Sequence, residues 1–523
     1  MAGKRFNITG VCNPTMHYMV DTSAKIEKIV RDYVEPGEYF VINRARQYGK
    51  TTTLRLLSNI LEERYLLLQL SFEGSEGYFE SQGKLVNSVC AQIASALKKN
   101  YPRLAAIVLQ ASGQPDAMDD FSDRITSLCA EAGKPVILMI DEVDRATDYG
   151  VFASFLGLLR KKYLARKTPD DGTTFHNVIL AGVHDVKNLK AKIRQDSEHA
   201  YNSPWNIAAS FDVDMSFSAP EIATMLSDYE ADYRTGMDIE AVAARLYYHT
   251  SGYPFLVSAL CKIIHDEKMD WSIDGVDNAV KRILVVKNTL FDDIIKNMQN
   301  HPGFAKLVER IILEGKKVEY NPDDPNIQIG IMYGIFTERD NQVHISNLIF
   351  ATRLMNYFIS ISETNLLVKE RSERDASLYV KNGSLDFNKV LERFSVFMAD
   401  EYRDQDSKFI EREARRLLIG YIKPIINGQG QYFLEPEIRG GQRIDLLVQY
   451  KRTEYIIEVK IWRGDSYEKR AYDQIARYVK ARHGKAGYVV SFCDMRTMPR
   501  KGTTFEHDGV TIHEVIVAYK DTV

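Results

Sequence analysis

The chain has 523 residues, which at roughly 100–200 residues per domain predicts three or four domains. Apolar residues make up 45 % and charged residues 27 %, proportions that exclude a disordered or fibrous polymer. The formal net charge is −3, so any basic face must be local.

The five cysteines (Cys12, Cys90, Cys129, Cys261, Cys493) are odd in number and far apart, and none has CxxC spacing. They predict reduced, mostly buried thiols of a cytoplasmic protein rather than a zinc ribbon or disulfide scaffold. The opening residues lack the apolar core of a signal peptide. No run reaches the roughly 20 apolar residues of a membrane helix, so no membrane partner is expected.

In chain order, residues 39–42 read as a strand and 51–64 as a helix, with Leu54, Leu57, Ile60 and Leu61 on one stripe. Strands follow over 65–72, 135–140, 177–181 and 212–215, with helical patterns between them. That alternation predicts a mostly parallel sheet with helices on both faces. From Ser218 the texture turns helical. Ser218 and Glu221 form a capping-box signature, and helices are predicted over 238–248 and 254–267 around the turn Thr250-Ser251-Gly252-Tyr253. Residues 303–359 give helix, turn, helix and a hairpin near 336–344, the order of a winged helix. The charged stretch 369–375 reads as a linker. Helices to about residue 426 then precede a compact α/β unit.

The stretch Asn43-Arg44-Ala45-Arg46-Gln47-Tyr48-Gly49-Lys50-Thr51-Thr52 follows one strand and opens one helix, the context of a P-loop. Backbone amides of Arg44, Arg46, Gln47, Tyr48, Gly49 and Thr52 are candidates to cradle phosphates. Lys50 reaches the β/γ-phosphates, and the Thr51 hydroxyl is suited to Mg²⁺. Arg44 stands where the usual pattern has its first glycine. The strand Val136-Ile137-Leu138-Met139-Ile140 ends in Asp141 and Glu142. Asp141 is the second candidate for Mg²⁺, and Glu142 for polarising the attacking water.

Met19-Val20-Asp21 together with residues 39–54 resemble the prokaryotic AAA-ATPase-like family, whose members often carry a C-terminal PD-(D/E)XK nuclease domain. The family's P-loop similarly reads Arg-Pro-Arg-x-Phe-Gly-Lys-Ser/Thr, so Arg44 agrees with it and Ala45 departs from it. The resemblance covers about the first 270 residues and extends to Ser251-Gly252-Tyr253-Pro254, similar to a lid turn. It implies a polar sensor at His184 or Asp185, and makes Arg145, Lys192 and Arg194 candidates for a charge-stabilising finger from a neighbouring subunit. It also implies a prokaryotic role in genome protection or mobile-element conflict.

A hairpin closed by the four residues Lys451-Arg452-Thr453-Glu454 sets Tyr450 opposite Tyr455, Asp445 opposite Lys460 and Leu447 opposite Glu458. Asp445, Glu458 and Lys460 then share one sheet face. Two acids and a lysine amid Ile and Val are costly to bury without a purpose, and a hard cation is one. This matches PD-(D/E)XK, with Asp445 and Glu458 as metal ligands and Lys460 positioning the nucleophile. Gln474 and Tyr478 resemble the QxxxY element of RecB-like nucleases. Glu411, favoured over Glu413, is a further metal candidate on the preceding helix. Residues 439–482 hold eleven Lys/Arg against six Asp/Glu, an excess suited to a phosphate backbone. Trp462 and Tyr467 are candidates to stack on bases, although a core role fits Trp462 as well.

The expected fold is α/β: a P-loop AAA-like ATPase core (1–217), a helical lid (218–290), a winged-helix-like domain (291–368), a linker (369–395) and a restriction-endonuclease-like domain (396–523). The expected function is ATP-regulated, Mg²⁺- or Mn²⁺-dependent cleavage of DNA, with ATP as cofactor and a homo-oligomer as one assembly. Two alternatives stand beside it. One is a switch ATPase whose C-terminal domain binds nucleic acid or protein without cutting; the other is a scaffold with dead sites.

Overall fold

The computed structural model describes residues 3–74, 76–146, 149–166, 173–183, 205–314, 317–360, 379–381, 384–401, 411–426, 430–434, 437–438, 442–443, 445–451, 453–462, 465–482, 484, 486–494 and 502–520. The chain divides into two compact units. The first comprises Met1–Tyr247, Ser251–Val276 and Ile331–Gly334; the second comprises Tyr248–Thr250, Asp277–Gly330 and Ile335–Val523.

The first unit is built on a parallel sheet of β1 (Phe40–Asn43), β2 (Leu66–Ser71), β3 (Val136–Asp141) and β4 (Asn177–Gly182), in the order β1-β4-β3-β2. β3 and β4 are buried along their whole length because both sheet faces are covered, so they read as continuous apolar runs. Alternate residues divide between two cores. Leu68, Leu70, Leu138, Ile140 and Leu180 pack with helices Gln82–Leu97, Ala117–Glu131 and Tyr149–Ala165. Phe40, Ile42, Ile137, Met139 and Ile179 pack with Ser23–Ile29 and the helix Lys50–Leu61. The strand expected over 212–215 does not form. Ala209 makes a single bridge to Phe40. Beyond it, side chains take the carbonyls a ladder would use: Tyr33 Oη donates to Ser210 O (2.9 Å) and Arg44 Nη2 to Val213 O (2.7 Å).

The expected lid helices are Ala219–Tyr233, Ile239–Thr250 and Pro254–Asp266. The Ser218–Glu221 capping box is present, and Asp238 caps Ala241 N at 3.0 Å. The Gly252 carbonyl (φ +72°) accepts a hydrogen bond from Phe217 N, and a Cβ there would lie 1.9 Å from Phe217 O. No other residue type fits that turn.

In the second unit, helices Thr289–Asn300, Pro302–Glu314, Pro325–Met332 and Leu348–Ser360 accompany a small sheet of β5 (Val318–Glu319), β6 (Phe336–Arg339) and β7 (Gln342–Ile345), ordered β5-β7-β6. Asp340 and Asn341 both take positive φ, as a two-residue primed hairpin turn requires. The expected linker 369–375 lies outside the described residues. Helices Phe387–Glu401 and Glu411–Ile426 lead to a mixed sheet of β8 (Gly430–Leu434), β9 (Leu446–Tyr450), β10 (Thr453–Ile461), β11 (Ala486–Asp494), β12 (Thr504–His507) and β13 (Val510–Lys520). Its order is β8-β9-β10-β11-β13-β12. The pairs β10–β11 and β11–β13 are parallel. The helix Asp465–Ala481 makes the crossover from β10 to β11, burying Ile475, Ala476 and Val479 against Leu447, Ile456 and Val489.

The β9–β10 hairpin corrects the expected register. Tyr450 pairs with Thr453 and Leu447 with Ile456, so the loop has two residues rather than four. Lys451 takes φ +53° there, and the short primed turn matches the strands' twist where a longer loop is not needed. Every partner shifts by two positions. Because the side-chain period is also two, the shared face of Asp445, Glu458 and Lys460 survives, and the register carried one step further sets Asp445 opposite Glu458.

None of the five cysteines is in a disulfide; Cys90, Cys261 and Cys493 are buried and Cys12 and Cys129 half-buried. Among the described residues no helix is long and apolar enough to cross a membrane.

Candidate functional site

Two clusters bring the singled-out residues together. The first lies where β1 ends. Gly49 occupies the left-handed region (φ +79°) as N-cap of the helix Lys50–Leu61, with no side chain capping the amides, so the helix start is open to an anion. Lys50 is buried, and its Nζ donates to the carbonyls of Arg44 and Ala45 at 2.9 Å each. Burial holds its pKa below the usual lysine value, opposed by Asp144, Glu142 and Asp141. Thr51 Oγ1 donates to Asp141 Oδ2 at 2.6 Å. Glu142 follows with φ +57°, and its amide donates to Asp141 Oδ1 at 2.9 Å. The hydroxyl and carboxylate meeting at one point are the oxygen donors a hard cation takes, so these residues fit Mg²⁺.

A cavity of about 1380 Å³ runs over this cluster, lined by Arg46, Gln47, Tyr48, Gly49, Lys50, Thr51, Thr52, Asp141 and Glu142. The N-terminal segment from Asn7 to Val20 contributes its other wall, and Cys12 N donates to Thr52 Oγ1 at 3.2 Å. Arg44 is not part of the lining. Its guanidinium reaches Val213 O and stacks 5.1 Å from the Phe211 ring. The Arg44 side chain thus fastens the loop to the segment after β4, which leaves only its backbone amide as the phosphate candidate. Two further ties hold the loop. Tyr253 Oη donates to Arg46 O at 2.6 Å, and Tyr48 Oη lies 2.8 Å from Ser216 Oγ. The Tyr48 and Tyr253 rings meet edge-on at 4.7 Å.

Sequence reasoning does not single out Asp144, whose Oδ2 accepts Val183 N at 2.6 Å and so joins the ends of β3 and β4. Its signal was the spacing Asp141-Glu142-Val143-Asp144. Arg145 closes the short turn Val143–Arg145, but its side chain is outside the described residues. His184, Asp185, Lys192 and Arg194 lie outside them entirely.

The second cluster lies at the open end of the β9–β10 hairpin. Glu458 is 0 % exposed and Asp445 7 %. Lys460 Nζ stands 2.7 Å from Glu458 Oε1 and 3.7 Å from Asp445 Oδ2. Asp445 Oδ2 also accepts Val459 N (2.9 Å), and Asp445 Oδ1 accepts Arg415 Nη2 (2.5 Å). Arg415 sits on the helix Glu411–Ile426, where sequence reasoning weighed only the acids. Glu458 Oε2 accepts no hydrogen bond from the described residues. Burial first, then the Asp445 charge, push the Glu458 carboxyl up to about 8, opposed by Lys460.

Between the ordinary 4.5 and about 8 the folded chain therefore holds a proton that the unfolded chain has released. Stability falls as pH rises through that window, by at most about 1.4 kcal/mol per pH unit. Urea unfolding from pH 5 to 8 checks this; Glu458→Gln flattens the slope.

Gln474 Nε2 donates to Tyr478 Oη at 2.7 Å on the crossover helix. The Tyr478 phenol is pushed up to about 12 by burial and then by the Glu458 charge, so the pair lies within electrostatic reach of the carboxylates. Among the described residues no cluster of three or more metal-ligating side chains occurs. The Glu411 and Tyr467 side chains are outside the described residues. Trp462 is half-buried. The orphaned Glu458 oxygen beside Asp445 fits a cation that takes two carboxylates and keeps its waters.

The AAA-like domain family matches residues 10–358. Among curated proteins none matches this sequence. Similar solved structures include a Walker-type ATPase of Pyrococcus abyssi, at 14 % identity over 67 % of this chain and 99 % of that one, with TM-score 0.44. Another is Cdc6p of Pyrobaculum aerophilum, at 13 % identity over 66 % of this chain and 97 % of that one, with TM-score 0.33. A third is the Aeropyrum pernix ORC1 protein in complex with DNA, at 12 % identity over 65 % and 93 %, with TM-score 0.30.

Proposed function

The chain belongs to the AAA-like domain family, and from that premise we propose that it is an ATP-hydrolysing switch governing a divalent-metal-dependent nuclease that cuts DNA. Lys50 and the amides after Gly49 hold the phosphates of ATP; Thr51 and Asp141 hold Mg²⁺; Glu142 orients the attacking water. Asp445 and Glu458 hold the second cation and Lys460 positions the nucleophile at the scissile phosphate. Magnesium bound there supplies charge stabilisation and an activated water. The observation that carries the nuclease half is Glu458, a wholly buried carboxylate with an orphaned oxygen, beside Asp445 and Lys460. In this proposal the helices and three-stranded sheet between residues 289 and 360 act as a winged-helix-like module that docks on duplex DNA. Assembly into a homo-oligomer on ATP belongs to the same proposal.

A second reading, a switch ATPase that binds DNA without cutting, draws on the Arg415–Asp445 ion pair, which already compensates one of the two carboxylates. The test incubates linear, circular and single-stranded DNA with Mg²⁺ or Mn²⁺, with and without ATP. It compares wild type, Asp445→Ala and Lys50→Ala. Cutting that disappears in Asp445→Ala supports the nuclease. Metal-independent DNA binding without cutting, unchanged in Glu458→Ala, selects the second reading.

A further inference from the structure

Arg415 has no role in the nuclease chemistry just proposed, yet it is 4 % exposed and its Nη2 lies 2.5 Å from Asp445 Oδ1. The other Asp445 oxygen accepts the Val459 amide. Both oxygens of a candidate metal ligand are therefore engaged by the protein. Among the described residues the cluster holds two carboxyl groups, Asp445 and Glu458, and two side-chain cations, Arg415 and Lys460. A divalent cation bound to Asp445 with Arg415 in place would stand against a buried guanidinium, where such repulsion is strong. Lys460, more exposed than Arg415, can turn toward solvent. Arg415 is held by its helix, and the next residue, Arg416, pairs with Glu309 of the helix Pro302–Glu314 (3.0 Å).

We propose that Arg415 is an internal counter-cation that competes with the divalent metal for Asp445, so that the site alternates between an arginine-closed and a metal-loaded state. The inference rests on the proposed metal role of Asp445. It makes the helix Glu411–Ile426 the part whose position sets metal affinity, and the Arg416–Glu309 pair one handle on that helix.

The test uses the full chain without nucleotide, in a Lys50→Ala background that silences the P-loop. Free Mn²⁺ is followed by its electron paramagnetic resonance signal for the parent, Arg415→Met, Arg415→Lys and Arg415→Met/Asp445→Asn. Arg415→Met is expected to bind Mn²⁺ at least about tenfold more tightly, and Arg415→Lys to an intermediate degree. Its melting temperature is expected to fall without metal and to recover with Mn²⁺, because the cation replaces the lost charge. The double variant should lose both effects. Equal or weaker Mn²⁺ binding by a folded Arg415→Met overturns the inference alone. Absence of any Asp445-dependent Mn²⁺ binding, in every variant, overturns the metal reading and the inference with it. If Arg415→Met does not fold, Arg415→Lys decides on the same criterion.

Discussion

Glu458→Gln is expected to reduce metal-dependent DNA cleavage by on the order of a thousandfold while leaving the fold at least as stable. The two halves of that result have one cause. Glu458 is wholly buried, and its charge is opposed by burial and by Asp445. The amide replaces a carboxyl whose ionised form burial disfavours, and the Lys460 it leaves behind is partly solvated, with 31 % of its side chain exposed. Removing one member of a buried pair is usually destabilising because the survivor is stranded; here the survivor reaches water. Cleavage of plasmid DNA with Mn²⁺ and thermal melting of the same preparation read the two effects together. A dead enzyme with a markedly lowered melting point would sink this account, because it would assign Glu458 to packing.

Lys50→Ala is expected to weaken ATP binding about a hundredfold or more and to abolish hydrolysis. Lys50 is the buried cation of its cavity, and in the structure its ammonium is turned onto the Arg44 and Ala45 carbonyls. Those same carbonyls lie beside the Arg46 carbonyl held by Tyr253. On the proposed reading, phosphate binding would draw Lys50 off the loop, and the nucleotide would alter the loop that the Tyr253 turn grips. Calorimetric titration with ATP measures the affinity. Radiolabelled phosphate release measures turnover, and wild-type rates in Lys50→Ala would remove the P-loop from the mechanism.

The Lys50–Thr51–Asp141–Glu142 cluster was legible because its parts are contiguous. A loop between one strand and one helix, and two acids at the end of another strand, need no long-range information. Arg44 was not legible in the same way. The loop sequence places it at the phosphates, but its direction depends on carbonyls at Phe211 and Val213, some 170 residues away, left free when no fifth strand forms. The hairpin shows the same division. Alternation gave the shared face of Asp445, Glu458 and Lys460, because a shift of two leaves side-chain parity intact. The loop length, and so the actual partners, depended on whether Lys451 would accept a left-handed backbone. Arg415 was hidden behind the neighbouring acids: the sequence shows a charged helix, and only packing shows which charge turns inward.

Glu142 has the left-handed backbone of a residue better suited to glycine or asparagine, at a strain of about 1 kcal/mol. A chain that served only as a scaffold would gain that stability by exchanging the carboxylate for either, at no loss to its work. Drift would favour the exchange, since most folds sit close to their threshold and small gains are readily found. If Glu142 orients the attacking water as proposed, the carboxylate is what that strain retains. Glu142→Gly is therefore expected to stop ATP turnover and raise the melting temperature together, a pairing that calorimetry and phosphate release measure side by side. The ledger of natural variation would then separate working from retired copies of this site by one position.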